Sequence, residues 1–532
     1  MPRSVYATIA LAAVAACYSG GHGSATKEAN YHLNIQNAEV VPDGFTRSVV
    51  SANGTVPGPL ISGTKGDRFL VNVTDSLTDK SMMRGTSIHW HGIYQRHSNL
   101  MDGAAEVNQC PIIPGNSFLY NFSVPDQAGT FWYHSHFSNQ YCDGLSGPLV
   151  IYDPHDPLKH LYDVDDESTV ITLQDWYHRP SPSIFPNWTT PNSTLINGLG
   201  RRSDDPSSEL AVIHAKRGKR YRFRLINTGC FPSFTFSIDG HKLTVIEADG
   251  IETRPHTVDS LEIYSSQRYS VVVTMDKPID NYWIRAIPSV GNNSTANGVN
   301  SAILRYHGAP NAEPCEERTN KKSRELDILN EADLHPLINP GAPGEPYPGG
   351  ADVVLTLQHG FGSQGGFVIN NATFMPPSVP VLLQILSGNT NANSLLPKGS
   401  IYGLPRNKVI EIIIPGGGLH PFHLHGHTFD VIRVANSTEY NYVNPVRRDV
   451  VSVGNVGDEV TLRFVTDNPG PWFLHCHIDW HLAGGLAVVL AEAAEDVAQN
   501  EPDNSDWDNL CPLYNKFNPD KHFESIFYSP KI

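Results

Sequence analysis

Short segments of alternating apolar and polar residues, or of β-branched and aromatic residues in sequence, recur along the chain with Gly, Pro, Asn and Asp between them. A strand turns successive side chains to opposite faces, so this two-residue period predicts strands half buried on a core. The clearest are 68–73, 118–124, 149–152, 221–226, 270–275, 353–357, 409–414, 460–464 and 486–490. Helical periodicity is scarce and short. Many short strands punctuated by turns predict an all-β architecture of sandwiches or barrels. The length of 532 residues suggests about three domains. Polar stretches at 153–168 and 308–348 read as connections between them.

Gly 44 and Pro 40 together favour the same turn-rich fold. The formal net charge of −16 argues against nucleic acid or an anionic membrane as the main partner. Arg3 and an apolar run over 5–16 predict a secretory signal over 1–25, cleaved between Ala16 and Ala25. The run is too short to span a bilayer, and no second apolar stretch of membrane length follows. The mature protein is therefore expected to be soluble, secreted and extracellular, without a membrane partner. Nine N-x-Ser/Thr sequons, at Asn53, Asn72, Asn121, Asn187, Asn192, Asn292, Asn293, Asn371 and Asn436, agree with export and with N-glycans.

Of seven cysteines, Cys17 lies in the expected signal, leaving Cys110, Cys142, Cys230, Cys315, Cys476 and Cys511. Six cysteines in an oxidising compartment allow 15 pairings. Cys476 sits between two histidines, which removes it from that count and leaves an unpaired cysteine among the rest.

Histidine is abundant, 24 residues against 38 Lys and Arg, and its neutral ring is the commonest metal ligand. Position gives the count its meaning. Gly85-Thr-Ser-Ile-His-Trp-His91 repeats as Leu419-His-Pro-Phe-His-Leu-His425, and Phe131-Trp-Tyr-His-Ser-His136 as Trp472-Phe-Leu-His-Cys-His477. Two copies of one β-domain, one near each end, explain the repeat. A fainter echo, Phe234-Thr-Phe-Ser-Ile-Asp-Gly-His241 with Tyr282-Trp-Ile-Arg285, reads as a third, middle copy without paired histidines. Residues i and i+2 of a strand face one way, so each His-x-His presents two imidazoles together. Four such pairs in duplicated contexts point to a metal cluster between the terminal domains. The second copy adds His420, Cys476 and His481, a thiolate with two imidazoles, which is the blue-copper ligand set. The first copy carries Thr86, Ser135 and Gln140 at those three positions.

His89-Trp-His-Gly92, Trp132-Tyr-His-Ser-His136, His420-Pro-Phe-His-Leu-His-Gly-His427 and His475-Cys-His-Ile-Asp-Trp-His481 resemble the four copper signatures of the multicopper oxidases, and within that family those of basidiomycete laccases. Asp102-Gly103, Asn108-Gln-Cys-Pro111, Leu195-Ile-Asn-Gly198 and Thr466-Asp-Asn-Pro-Gly-Pro-Trp472 carry the resemblance through nearly the whole mature chain. It implies three cupredoxin-like, Greek-key β-sandwiches, taken here as 26–155, 156–325 and 326–532. It implies four copper ions: type 1 on His420, Cys476 and His481; type 2 on His89 and His423; and a type 3 pair on His91, His134, His136, His425, His475 and His477. Disulfides Cys110–Cys511 and Cys142–Cys230 are implied as well, leaving Cys315 without a partner. The implied activity is one-electron oxidation of phenols and aromatic amines coupled to reduction of O2 to water, by a monomer.

Leu486, ten residues beyond Cys476, takes the axial position, where a non-coordinating side chain raises the copper potential; it is also a natural core residue. Asp102 and Asp479 are the candidate proton relays. His481, Phe231, Phe185 and Phe361 are the substrate-pocket candidates. Phe231 departs from the family pattern, in which an Asp after the cysteine matching Cys230 binds the phenolic hydroxyl. The rival activity is Fe(II) oxidation, which would need carboxylates near His481; the stretch 181–201 contains no Asp or Glu. A copper-binding glycoprotein without turnover and a zinc hydrolase are the remaining alternatives, and a cysteine site plus four histidine pairs exceeds what one catalytic zinc needs.

Overall fold

A computed structural model describes residues 27–184, 189–315, 327–363 and 365–517. The expected signal, Phe185 and the sequon at Asn187 lie outside the described residues.

All nine expected segments fall on strands. Arg68–Asp75 shows why: Phe69, Val71 and Val73 alternate inward with polar or half-buried neighbours. They meet the inward residues of a facing sheet, among them Ile61, Ile88, Trp90 and Tyr133. The first sandwich has sheets in the order Arg47–Ala52, Glu28–Val40, Arg68–Asp75, Ser117–Ser123 and Ile61–Thr64, Ser146–Tyr152, Gly129–Ser135, Ile88–His91.

The second of these orders recurs twice. In the middle of the chain it runs Val212–Ala215, Ser301–Tyr306, Asn281–Pro288, Phe234–Ile238, Ser260–Ile263. In the last third it runs Ile401–Leu404, Ala487–Glu492, Gly470–Cys476, Pro421–Leu424, Val450–Ser452. Each time the first pair is parallel and the remaining pairs are antiparallel. The middle echo therefore reflects a third copy of one topology: Phe234–Ile238 and Asn281–Pro288 occupy the places of Pro421–Leu424 and Gly470–Cys476.

Helices are few, and the longest, Ser505–Phe517, closes the described chain. It returns to the first sandwich, where Trp507 Nε1 donates to the Asn108 carbonyl (3.0 Å) and Cys511 is bonded to Cys110. Among the described residues no helix is long and apolar enough to cross a membrane.

Candidate metal centre

Strand register sets the histidines. His89 pairs with His134 across Ile88–His91 and Gly129–Ser135. His423 pairs with His475 across Pro421–Leu424 and Gly470–Cys476. His136, His425 and His477 lie just beyond their strands, held by backbone bonds to Ser87, Phe473 and Pro421. The two outer sandwiches thus bring eight buried imidazoles to one interface, in three triads: His89, His91 and His423; His91, His134 and His477; and His136, His425 and His475.

Seven of the eight rings, all but His136, use one nitrogen for a protein partner and turn the other inward. Nδ1 of His89, His134, His423 and His475 donates to the carbonyls of Asp102 (2.7 Å), Ser135 (2.8 Å), Asp449 (2.9 Å) and Cys476 (3.0 Å). His425 Nδ1 donates to Asp102 Oδ2 at 2.8 Å. His91 is turned the other way, with Nε2 on Asp449 Oδ1 (3.3 Å). The inward Nε2 of His89, His134, His423 and His477 and Nδ1 of His91 have no hydrogen-bond partner. His425 and His475 face each other Nε2 to Nε2 at 3.1 Å. Buried acceptor nitrogens converging on one another are costly unless a cation lies between them. Burial and mutual repulsion hold His91, His134, His136, His423, His425 and His477 well below the usual histidine range, so the rings stand neutral, the form that binds metal.

A second cluster joins His420, Cys476 and His481. Cys476 Sγ is 3.5 Å from His420 Nδ1 and 3.6 Å from His481 Nδ1, and the two nitrogens are 2.9 Å apart. Burial pushes the Cys476 thiol up, which a bound cation reverses. Leu486 is fully buried in the core beside it; its carbonyl accepts from the Cys476 N–H and its N–H donates to the His481 carbonyl. Two imidazoles and a sulfur with an aliphatic neighbour suit copper.

Multicopper oxidase family models match residues 34–156, 167–309 and 374–496. A laccase of Phlebia radiata is 58% identical over 499 residues, covering 92% of this chain and 95% of that protein. Laccase-4 of Trametes villosa is 55% identical over 512 residues, covering 95% and 97%. The crystal structure of a laccase from Botrytis aclada superposes with a TM-score of 0.81 at 35% identity, covering 93% of each chain.

The chain belongs to the multicopper oxidase family. Its activity is that of a laccase, and copper is the metal the family implies for these clusters.

Within that family the first sandwich shows what replaces the cysteine site. Thr86 Oγ1 and Ser135 Oγ both donate to Gln140 Oε1 (2.8 and 2.7 Å), and Gln140 Nε2 donates to the Met83 and Gly85 carbonyls. A closed hydrogen-bond set fills the place held in the last sandwich by His420, Cys476 and His481.

Asp102 is buried against His89 and His425. Gly103 permits this: at φ +82°, a Cβ there would lie 1.8 Å from the Ile88 carbonyl oxygen. Asp479 takes a different place. Its carboxylate accepts from the Cys142 thiol (3.3 Å), and burial, with Asp143 and Asp175 near, raises its pKa well above the usual carboxylate range.

The expected Cys142–Cys230 disulfide is absent. The two sulfurs are buried and unbonded in this structure, within hydrogen-bond reach of each other, with Asp479 3.3 Å from Cys142 and Asp175 3.6 Å from Cys230. Cys315 is free and exposed, as expected. Phe231 stands edge-on to His481, centroids 6.2 Å apart. Phe361 is 66% exposed and reaches the site only through Phe367, whose ring lies 4.4 Å from that of His481.

Sequence reasoning missed Phe367, His359 and Asp449. His359 packs 5.0 Å from His420. Asp449 joins all three sandwiches: its carboxylate takes both Arg268 guanidinium nitrogens (2.7 and 2.6 Å) as well as the bond from His91. The Gly-rich turn between the expected strand at 353–357 and Phe367 was a signal for the first two; Asp449, in a loop without a motif, offered none.

Proposed function

We propose that the chain is a secreted laccase that takes single electrons from phenols and aromatic amines at His481 and delivers four to O2, which leaves as two waters. The observation that carries this is Cys476: its sulfur faces His420 and His481 while its chain neighbours His475 and His477 face the other cluster. One residue's backbone thereby joins electron entry to the oxygen site. Four coppers are proposed, type 1 on His420, Cys476 and His481, type 2 on His89 and His423, and a type 3 pair on the other six histidines; held there they supply one-electron redox chemistry.

The protein's own groups do the rest. The outward hydrogen bonds fix each ring's tautomer and direction. Leu486 would give the cysteine site an aliphatic, non-coordinating neighbour. Asp102, in contact with two cluster histidines, is the proposed proton relay, and Asp479 a second one. Phe231 and Phe367, the latter backed by Phe361, give His481 an aromatic surround suited to an aromatic ring, which favours organic donors over Fe(II). The proposed domains are 26–155, 156–325 and 326–532, with the signal over 1–25, N-glycans on the exported protein, and a monomer in solution.

The test is metal analysis together with O2 uptake on a phenol and on Fe(II). About four coppers per chain and fast phenol-dependent uptake are expected. Rapid iron oxidation with negligible phenol turnover would overturn the laccase reading, and no uptake with either donor would favour copper storage.

A further inference from the structure

A phenol that surrenders an electron must also lose its hydroxyl proton, and a positioned base speeds that loss. Phe231, beside His481, cannot take it. We propose that Glu262 receives this proton through Ser233, an assignment that rests on the laccase reading.

Ser233 is buried and lies two residues beyond Phe231. Its Oγ donates to Glu262 Oε1 at 2.7 Å, and its N–H is held by Ser289 Oγ at 3.1 Å. With its own hydrogen committed to the carboxylate, the Ser233 oxygen is left as an acceptor. A proton reaching it, from the phenol or through one water, sends the serine's hydrogen on to Glu262. Tyr264 donates to the other carboxylate oxygen at 3.1 Å and fixes its direction.

Register places this relay at the right seam. Glu262 pairs with Thr235, so Glu262, Thr235 and Ser233 share the face opposite the buried Phe234 and Phe236. Tyr264 reaches Ser452, which pairs with Pro421, the neighbour of His420. Ser233, Glu262 and Tyr264 therefore run between the middle and last sandwiches, from the Phe231 side of the cysteine site to its His420 side. Glu262 is half buried, so it can return the proton to water. The charged groups about it are Glu331, which acts on Tyr264, and Arg448, paired with Glu331.

The step balances. The phenol O–H bond breaks, its electron leaves by His481 for O2, its proton goes to the Glu262 carboxylate, and a neutral radical departs.

The test compares copper-loaded wild type with Glu262→Gln on 2,6-dimethoxyphenol and on ferrocyanide, a one-electron donor with no proton to lose. In Glu262→Gln the ratio of phenol to ferrocyanide kcat/KM should fall about tenfold. Ser233→Ala should show the same selective loss. Independently of turnover, 4-nitrophenol should bind wild type more tightly than Glu262→Gln or Ser233→Ala. An unchanged ratio, an equal loss with both donors, or equal 4-nitrophenol affinity in all three proteins would overturn the relay. Failure of wild type to oxidise either donor would instead sink the laccase reading.

Discussion

Asp449 closes a buried ion pair with Arg268 while holding the His91 ring and the His423 backbone contact. Removing its charge leaves the guanidinium short of a partner in a fully buried site. Asp449→Asn should therefore cost about 3 kcal/mol, read as a fall in the urea midpoint, and should lower copper retained after dialysis against a chelator. Glu501 makes a pH prediction. It accepts from the Asn99 and Leu100 N–H groups, the turn that leads to Asp102, and burial lifts it from 4.5 to about 7. The folded chain then keeps a proton that the unfolded chain releases between those values. This contribution to stability is full below about pH 4.5 and is lost as pH rises through about 7. Glu501→Gln keeps an acceptor and removes the titration, so its unfolding temperature should gain on wild type between about pH 5 and pH 8. Calorimetry at both pH values checks this; a constant difference would refute it.

At the scale of elements, the two outer copies show one strand arrangement serving two chemistries. Thr86, Ser135 and Gln140 stand on the same framework as His420, Cys476 and His481, yet they satisfy one another. Truncation of Gln140 removes the acceptor of both hydroxyl hydrogens and a donor to two carbonyls in the core. Gln140→Ala should cost about 2–3 kcal/mol, measured by chemical denaturation. Strands were legible because burial on one face forces the two-residue period, as in Arg68–Asp75. The hairpin His359–Phe361 with Phe367–Ile369 was less so. Its short arms and Gly-rich turn carry little period, and the ring that meets His481 is Phe367, where Phe361 had been expected.

The whole molecule depends on contacts between distant segments. The eight-histidine cluster lies between the first and last sandwiches, so anything that loosens this interface loosens the site. The Cys110–Cys511 bond closes a separation of 401 residues and straps the final helix to the first sandwich. Cys511→Ser should lower stability by about 2–5 kcal/mol, with thermal unfolding as the readout and earlier loss of copper on heating.

The sequence by itself determined the all-β class, the repeat of a domain near each end and the ten histidines with Cys476, because strand period and ligand spacing are local properties of the chain. Only the tertiary structure decided which nitrogen of each ring turns inward, that Asp449 and Arg268 join the sandwiches at the cluster, and that the middle copy shares the strand order of the other two. It also decided that the Asp479 and Asp175 carboxylates stand beside the Cys142 and Cys230 sulfurs. These depend on which remote segments meet, and a buried polar group takes whatever partner the packing brings within reach.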